Sequence, residues 1–582
     1  MRLSSLKEIE SSKIHIDVFK GYNHNLRIAD GEFFDMYNLS SDNYPVISPR
    51  KIRGIFSYDG NPQAMIAKSE FCYIDGEDIV IGDKRIPMGF TSGDKQLVSM
   101  GAYIIVFPDK KYINTLDVED RGDIDEVFES GGDVEFSLCR LDGSGYDGVV
   151  ISPSAPENPQ NLSHWLDTSV TPNTLKQWSS ANDMWVNIPT TYIKIRSDGI
   201  GAKFSVNDGI KISGIKIESL KEMNDTATVI WGKGDDYIIV TGLLDKVASQ
   251  TGIAVKREIP DMDFVVESEN RLWGCKYGQV NGKMVNEIYA SKLGDFKNWN
   301  CFMGISTDSY VASIGTDGDF TGAITFAGHP IFFKENWMHK VYGNYPSNYQ
   351  INTTACRGVK KGSHKSLAIV NEVCYYQSRN SICFYDGSLP QECSYPLGNI
   401  QYGDGVACAC GNKYYISMRD LSKGEWVMFV YDSSLGVWHK EDDTHVKDFC
   451  LFNGELYFID IAKSERLTIK TMFGSGKVID EERIKWMAET GVIGINFIEQ
   501  KYVSKINIRT QLELNSVIRV FIEYDSSGEW ELVYRVAGSK LQSFTIPVKP
   551  RRCDHIKIRL EGEGNAKIYS ITKTIEGGSD EL

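Results

Sequence analysis

The chain has 582 residues, more than one hydrophobic core organises, because single cores stop growing at roughly 250–300 residues. Its 78 Asp and Glu residues outnumber its 63 Lys and Arg residues, and the net charge of −15 argues against a groove that grips phosphates. A surface past which nucleic acid slides without sticking stays compatible with this charge. No window approaches roughly 18 apolar residues, so we expect no membrane span.

The composition favours strands over helices. With 53 Gly, 29 Tyr and 26 Phe but only 17 Pro, the chain is predicted to be all-β. The N-terminal sequence MRLSSLKEIESSKIH lacks a continuous apolar segment, so we expect no export signal. Twelve cysteines without a C-x-x-C pair favour reduced, structural thiols made in a cytoplasm; Cys408 and Cys410, the closest pair, are predicted to share one face of a strand.

Pairs of short aromatic strands recur along the chain, and each pair is predicted to be an inner strand, a turn and an outer strand. The first strands of the pairs begin at Phe71, Tyr103, Leu272, Ile331, Cys374, Tyr414 and Leu456. Positions 331, 373, 414 and 456 are 42, 41 and 42 residues apart, a spacing typical of β-propeller blades. We therefore predict a β-propeller of about seven blades, formed by residues 59–137 and 258–475 and closed by a strand of an N-terminal arm, residues 1–58.

An inserted domain is predicted between the two parts of the propeller. The interval of 169 residues from Tyr103 to Leu272 is too long for one blade, and the excess is assigned to residues 138–257. This segment begins with the proline-rich SPSAPENPQN and continues in short alternating strands with Gly-Asp and Asn-Asp-Gly turns. Such a pattern predicts a small β domain.

The last hundred residues, 476–582, alternate strictly between apolar and polar side chains. The apolar positions that share a face are Ile518, Val520, Ile522 and Tyr524 in one segment and Ile556, Ile558 and Leu560 in another. This period of two predicts half-buried strands, and the SSG and GEG turns between them predict a C-terminal β-sandwich.

Three short motifs resemble functional sites, but turns explain each of them better. The segment Gly143-Ser-Gly-Tyr-Asp-Gly148 has phosphate-loop spacing, yet an extended, proline-broken segment follows where a helix is required. Asp317 begins a calcium-like loop, but Gly328 stands where a bidentate Glu is required, so a polar hairpin turn is predicted. Arg121-Gly-Asp123 lies in the acidic run DVEDRGDIDEVFE and is predicted to be a solvated loop.

No sequence motif for catalysis is present. The chain has no G-x-S-x-G, H-E-x-x-H or P-loop pattern, and its nine histidines show no metal-ligand spacing. We therefore predict no catalytic, cofactor-binding or metal-binding residues and no cofactor. A carboxylate pair for glycoside cleavage remains open, because 78 acidic residues offer too many pairs. Core packing is favoured over sugar stacking for Trp178, Trp185, Trp299 and Trp438.

Several segments resemble one family of virion proteins. These are GEFFDMYNLSSDNYPVISPRKIRG (31–54), NRLWG with EIYASKLGDFKNW (270–274 and 287–299) and RGVKKGSHKSLAIVNEVCYYQSRNSICFYDGSLP (357–390). They are similar to propeller-bearing proteins of tailed phages and prophages, such as the tail nozzle and packaged-DNA stabilisation proteins of short-tailed phages. The resemblance implies a ring of identical subunits around the channel that conveys DNA, and it carries over no functional residue.

The favoured function is that of a non-enzymatic structural component of a virion, of the tail nozzle, ring or DNA-stabilisation type. We expect it to be made in the bacterial host cytoplasm and to contact its own copies, other tail or portal and adaptor proteins, and passing DNA without specificity. A first alternative is a carbohydrate-binding or glycan-cleaving receptor-binding virion protein, because propellers also host glycosidases. A second alternative is an intracellular scaffold.

Overall fold

The computed structural model describes residues 11–57, 60–476, 478–495, 500–538 and 540–577. The first ten residues, which carry most of the segment expected to lack an export signal, lie outside these ranges. Within them regular structure is almost entirely β-strand, which confirms the all-β prediction. The only helices in the described ranges are five 3-10 turns: Ile200–Ala202, Glu218–Met223, Pro346–Asn348, His364–Ser366 and Tyr395–Leu397. None of the described helices is long and apolar enough to cross a membrane.

Seven sheets follow one another around a β-propeller, as predicted. We number them in chain order. Blade 1 is Pro62–Ala67, Phe71–Asp75, Asp78–Ile81 and Lys84–Pro87; blade 2 is Gln96–Met100, Tyr103–Phe107, Lys111–Asn114 and Arg121–Asp123; blade 3 is Phe264–Ser268, Arg271–Val280, Lys283–Ala290 and Tyr310–Ser313; blade 4 is Phe320–Phe326, His329–Lys334, Trp337–Tyr342 and Gln350–Ala355. Blade 5 is Ala368–Val370, Val373–Gln377, Ile382–Tyr385 and Gln391–Glu392; blade 6 is Tyr402–Cys410, Lys413–Asp420, Trp426–Asp432 and Val437–Lys440; blade 7 is Val446–Phe452, Glu455–Ile461, Leu467–Thr471, Gly54–Ser57 and Val478–Ile479. The first strands of blades 7 and 1 lie side by side, which closes the ring.

The aromatic strand pairs occupy the middle of each blade, so their assignment as inner and outer strands was wrong. They are the second and third of four strands, and neighbouring blades cover both of their faces. Ile331, Phe332 and Phe333, for example, are fully buried. The fourth strands are short or polar, such as Gln391–Glu392, because one side of them faces solvent.

The N-terminal segment completes the last blade. Gly54–Ser57 pairs antiparallel with Leu467–Thr471 and also with Val478–Ile479. Blade 7 therefore combines strands from both ends of the propeller sequence, and this pairing holds the ring shut.

The C-terminal region folds into the predicted β-sandwich, but its two sheets also take strands from the N-terminal segment. One sheet contains Ser11–Ile16, Ala566–Gly577, Lys501–Leu512 and Gln542–Pro547; the other contains Gly21–Tyr22, Glu32–Tyr37, Lys485–Thr490, Ile556–Glu563, Val517–Tyr524 and Trp530–Ala537. Residues 11–37 thus lie in the sandwich, whereas the sequence placed 1–58 in an arm. Local patterning cannot reveal a pairing between the two ends of a chain. A short ladder of Leu39–Ser40 with Ser48–Pro49 follows.

One continuous apolar cluster joins the sandwich to blades 5 and 6. Phe33 and Met36 of the N-terminal segment belong to it together with Phe429 and Trp438 of blade 6. Gly21 permits the close approach, because its φ is +79° and a Cβ there would lie 2.3 Å from the carbonyl oxygen of Trp438. The sandwich and the propeller therefore share a core.

The insertion between blades 2 and 3 has three sheets and a core of its own. The sheets are Glu126–Glu129, Ala254–Arg257, Gly209–Ser213 and Ala227–Val229; Gly232–Gly234, Tyr237–Thr241, Tyr192–Arg196, Asp133–Cys139 and Ala248–Thr251; and Val150–Ser152, His164–Asp167, Thr174–Ser179 and Met184–Asn187. Its strands begin at Glu126, before the predicted start at 138, because Glu126–Glu129 pairs with the final strand Ala254–Arg257. The buried cluster of Val134, Phe136, Ile195 and Val255 contains only residues of the insertion.

Candidate functional site

A segment between blades 4 and 5 fills the axis of the propeller. The His364 ring lies 5.2 Å from the Phe264 ring of blade 3, and the Lys365 Nζ lies 3.1 Å from the Lys447 carbonyl oxygen of blade 7. A Cβ on Gly322 of blade 4 would meet Leu367 at 2.9 Å. Since side chains of one short segment reach the first strands of three blades, this segment, residues 363–367, is named the axial plug.

Buried hydroxyl groups hold the axial plug in place. Ser363 is fully buried, and its Oγ donates to the Gln377 Oε1 at 2.8 Å. The Ser366 Oγ accepts a hydrogen bond from the backbone amide of Gln377 at 2.9 Å, while the Tyr414 hydroxyl donates to the Ser366 carbonyl oxygen at 2.7 Å. The Gly405 amide of blade 6 donates to both Ser363 and Gln377. The plug is therefore fixed by hydrogen bonds that a buried polar segment requires.

Charged groups around the plug are perturbed by burial. Burial, with a smaller effect of Lys365, lowers the pKa of His364 to about 4, so its imidazole is neutral at pH 7. Burial raises the pKa of Asp448, although Lys365 opposes this shift at 3.6 Å. The Asp448 carboxylate also accepts from the Met65 amide of blade 1 at 2.8 Å. Through these contacts Asp448 links blades 1 and 7 to the axial plug.

A second charged cluster lies where the propeller, the sandwich and the N-terminal segment meet. Arg53 bonds Glu441 Oε2 at 3.0 Å and Asp442 Oδ2 at 2.6 Å, and Arg50 Nη2 bonds Glu481 Oε1 at 2.7 Å. The side chains of both arginines and of Glu441 and Asp442 are less than a tenth exposed. We name these five residues the ionic joint.

Burial and the attraction of the arginines act in opposite directions on the carboxyl pKa values of the ionic joint. Burial raises the pKa of Glu441, and this outweighs the opposing attraction of Arg53 and Arg50. For Asp442 burial also acts upward, but both arginines and the hydrogen bonds from Thr444 keep its pKa below the usual range. Removal of one member would leave a buried charge without compensation, which makes the joint a structural element.

The short sequence motifs do not form sites. The Gly143–Gly148 segment is a loop that leads into the strand Val150–Ser152, as the sequence indicated. Asp317 lies in the loop that joins blade 3 to blade 4, so the prediction of a hairpin turn there was wrong; it accepts a hydrogen bond from the Tyr277 hydroxyl. Arg121–Asp123 is the fourth strand of blade 2, so its prediction as a loop was wrong; pairing with Lys111–Asn114 decides its conformation.

The cysteines and possible metal ligands are dispersed. All twelve cysteines are free, and Cys408 and Cys410 lie in one strand, Tyr402–Cys410, as expected. Within the described ranges no group of three or more His, Cys, Asp or Glu residues is arranged to hold a metal ion.

Two of the four tryptophans singled out in the sequence are core residues, and two lie at a surface. Trp299 and Trp438 are buried, whereas Trp178 and Trp185 are half-buried in the third sheet of the insertion. The Trp185 ring lies 5.4 Å from Trp178 and 5.4 Å from Trp165 at steep angles. Strand register places all three rings on one face of that sheet.

Polar groups flank this tryptophan face. Lys176 Nζ lies 4.8 Å from the centre of the Trp165 ring and 2.8 Å from Asp167 Oδ2. Asp167 is held well below the usual carboxyl pKa, to about 2, by hydrogen bonds from Lys176 and Ser169. The sequence indicates Trp178 and Trp185 as candidates but not Trp165 or the axial plug, because strand register and ring closure determine which residues are neighbours across strands and between blades.

Comparison with known proteins gives similarity at the level of solved structures alone. No family model and no curated protein matches the chain. An exo-β-1,3-galactanase from Phanerochaete chrysosporium with galactose aligns at 9% identity over 53% of this chain and 94% of that one, with a TM-score of 0.21. A Pyrococcus horikoshii acylaminoacyl peptidase aligns at 9% identity over 61% and 56%, with a TM-score of 0.25. A glycoside hydrolase aligns at 11% identity over 52% and 96%, with a TM-score of 0.20. Similarities this weak carry no inference about activity.

Proposed function

We propose that the chain is a non-enzymatic structural subunit of a tailed-phage or prophage virion. In this role copies of the chain assemble into a ring around the DNA channel, as a tail nozzle or DNA-stabilisation component does, after synthesis in the host cytoplasm. Portal, adaptor or other tail proteins are its expected neighbours.

The observation that supports this proposal most is the construction of the joint. The N-terminal segment supplies strands to both sheets of the sandwich and to blade 7. The ionic joint and the shared apolar cluster add buried contacts at the same place. A body joined in this way resists bending between its parts, which a subunit under the force of packaged DNA requires.

The axial plug supports a structural role in a second way. A ligand site on a propeller axis needs an open channel, and here residues 363–367 occupy it. Passage of DNA would then occur through a ring of subunits and not through the propeller. The net charge of −15 would limit attachment of the DNA backbone to such a ring.

Electron microscopy of the purified protein and of particles tests the proposal. We expect closed rings in vitro and density for the propeller in the particle tail. A protein that stays monomeric at all concentrations and is absent from particles would disprove it.

The tryptophan face favours a second candidate function, recognition of a glycan by a virion protein. Indole rings stack on the apolar faces of sugars, and Lys176, Asp167 and Asn187 on the same face could bond hydroxyl groups. A glycan array probes this candidate, with Trp178→Ala and Trp185→Ala expected to lose any binding of the intact protein. The matched control is Trp426→Ala, which removes a half-buried indole that stacks on His445 in blade 6.

A further inference from the structure

Three arginines line one groove at the six-stranded sheet of the sandwich. Arg483, Arg519 and Arg535 surround a groove of about 590 Å³, together with Glu563 and the 79% exposed Leu514. The remaining lining residues are uncharged, so three positive charges face one negative charge. We name this surface the arginine groove.

The guanidinium groups of the arginine groove are free. Among the described residues, none of the three makes a hydrogen bond or an ion pair. Other cations on the same sheet are paired, for example Arg559 with Glu489 at 2.8 Å. On a chain with 15 more acidic than basic residues (78 against 63), three unpaired arginines in one groove are an exception.

The arrangement also has an electrostatic cost. Arg519 and Arg535 are directly opposite each other on neighbouring strands, and on its other side Arg519 is opposite Glu561, which pairs with Arg559. Like charges in directly opposite positions destabilise a sheet pair. An acidic partner that binds both guanidinium groups would remove this repulsion, and planar guanidinium groups suit carboxylates in particular.

A complementary surface lies on blade 2, in the acidic run noted in the sequence. The turn of residues 115–120 presents Leu116, 81% exposed, beside the exposed Asp117 and Glu119. Hydrogen bonds fix the turn: the Leu116 amide donates to Asn114 Oδ1 at 3.0 Å and the Glu119 amide to Asp117 Oδ1 at 3.2 Å. The pairing of Glu119 with Arg121 at 3.4 Å is exposed and therefore weak. We name residues 115–120 the acidic turn.

We propose that the arginine groove of one copy of the chain binds the acidic turn of a second copy. Carboxylates of Asp117 and Glu119 would meet the arginines, and Leu116 would cover Leu514. The sandwich is attached at blades 5 and 6, and each of these is at least three blades from blade 2 in either direction around the ring, so a copy does not fill its own groove. Such a contact joins unlike surfaces and generates a ring or a filament.

A second copy fits the groove better than nucleic acid does. Three arginines and one glutamate form a short site, whereas a phosphate backbone is gripped along many cations and would be repelled by the acidic remainder of the chain. Two exposed leucines that match across the contact also favour a protein partner.

Charge reversal tests the contact on the full-length chain. Sedimentation velocity should show an assembled wild type, and both Arg519→Glu with Arg535→Glu and Asp117→Lys with Glu119→Lys should weaken assembly by ~100-fold. The chain that carries all four substitutions should recover assembly. Matched controls are Arg379→Glu and Asp245→Lys, which change exposed charges elsewhere, and circular dichroism verifies that every variant folds.

The inference rests on the proposed ring assembly, and the outcomes separate the two. If the wild type assembles and the reversal variants assemble equally well, the contact is wrong while the ring stands. If the wild type is monomeric at every concentration and absent from particles, both fail. If the arginine variants lose duplex DNA binding but keep their assembly, the groove binds nucleic acid and the contact between copies is overturned.

Discussion

The sandwich and the insertion are attached to the propeller in different ways. The sandwich is joined to the propeller by the N-terminal segment, which supplies strands to both, by one apolar cluster and by the ionic joint. The insertion has a separate core and meets blade 3 through polar contacts: Asn298 Nδ2 donates to Asp208 Oδ1 at 3.0 Å, and the Gly209 amide donates to Asn298 Oδ1 at 2.8 Å. The sandwich is thus part of the propeller body, whereas the insertion is a neighbour that can open on its own.

The largest expected effect comes from breaking the ionic joint. Arg53→Leu removes the nearer cation of the buried Glu441 and Asp442 and leaves them only the longer contacts of Arg50, at 3.9 and 3.4 Å, which costs about 3–5 kcal/mol. Because the joint is common to both parts, we expect the propeller and sandwich to unfold together at lower denaturant. Chemical denaturation followed by tryptophan fluorescence measures this, and a variant as stable as the wild type would refute the role of the joint.

Acid should weaken the propeller through its buried histidines. Burial, followed by Lys334 and Lys413 respectively, lowers the pKa of His339 and of His439 to about 4. Below the unfolded pKa of about 6.5, each of these histidines binds a proton in the unfolded chain but not in the folded chain. As the pH is lowered, the free energy of unfolding therefore decreases by about 1.4 kcal/mol per pH unit for each histidine.

The difference between variants isolates this effect. Glu441 and Asp448 have raised pKa values and act in the opposite direction, so the total slope mixes both kinds of group. His439→Phe should reduce the slope of the free energy of unfolding against pH, between pH 6.5 and 5, by the contribution of about one proton. Denaturation at several pH values measures this slope. An unchanged slope would contradict burial of a neutral His439.

A smaller, local effect is expected at the insertion. Asn298→Ala removes the hydrogen bonds to Asp208 and Gly209, at a cost of about 1–3 kcal/mol. Hydrogen exchange should rise in residues 126–257 and stay unchanged in blades 5 to 7. Equal increases in both regions would show that the insertion is not a separate unit.

The smallest effect is expected at Arg85, a half-exposed arginine of blade 1 whose partner Asp75 is buried. Arg85 bonds Asp75 and Asp78, but its side chain is half exposed, so Arg85→Leu should cost about 0–1 kcal/mol. It serves as the control for Arg53→Leu, because both remove one arginine and two ion pairs. If Arg85→Leu lowers the free energy of unfolding as much as Arg53→Leu does, burial of the arginine does not explain the effect of Arg53→Leu.

The sequence predicted the blades because their middle strands are buried on both faces. Buried strands demand aromatic and β-branched residues at regular intervals, and Phe332, Tyr414 and Phe458 are all fully buried. Outer strands such as Arg121–Asp123 escaped prediction, since a solvated edge tolerates any polar residue. The N-terminal strands Ser11–Ile16 and Glu32–Tyr37 of the sandwich escaped because they pair with strands more than 400 residues away, as in Ile14 with Lys573.

The candidate sites depended still more on contacts that no local pattern encodes. The alternation in NSVIRVFIEYD indicated the buried face, but only the register with the next strand brings Arg519 opposite Arg535. The axial plug lies in a segment quoted for its resemblance alone, and ring closure makes its position central. The sequence alone indicated Trp178 and Trp185, because the chain has only 11 tryptophans and each can be considered separately.

The late pairing of Gly54–Ser57 has a consequence for synthesis on the ribosome. Its partner ends at Thr471, 414 residues later (471 − 57), so at ~5–20 residues per second the first strands wait roughly 20–80 s for completion. During this delay the nascent edge is open to wrong neighbours. Translation speed, and any chaperone that shields the emerging N-terminal strands, would therefore govern the yield of correctly closed molecules.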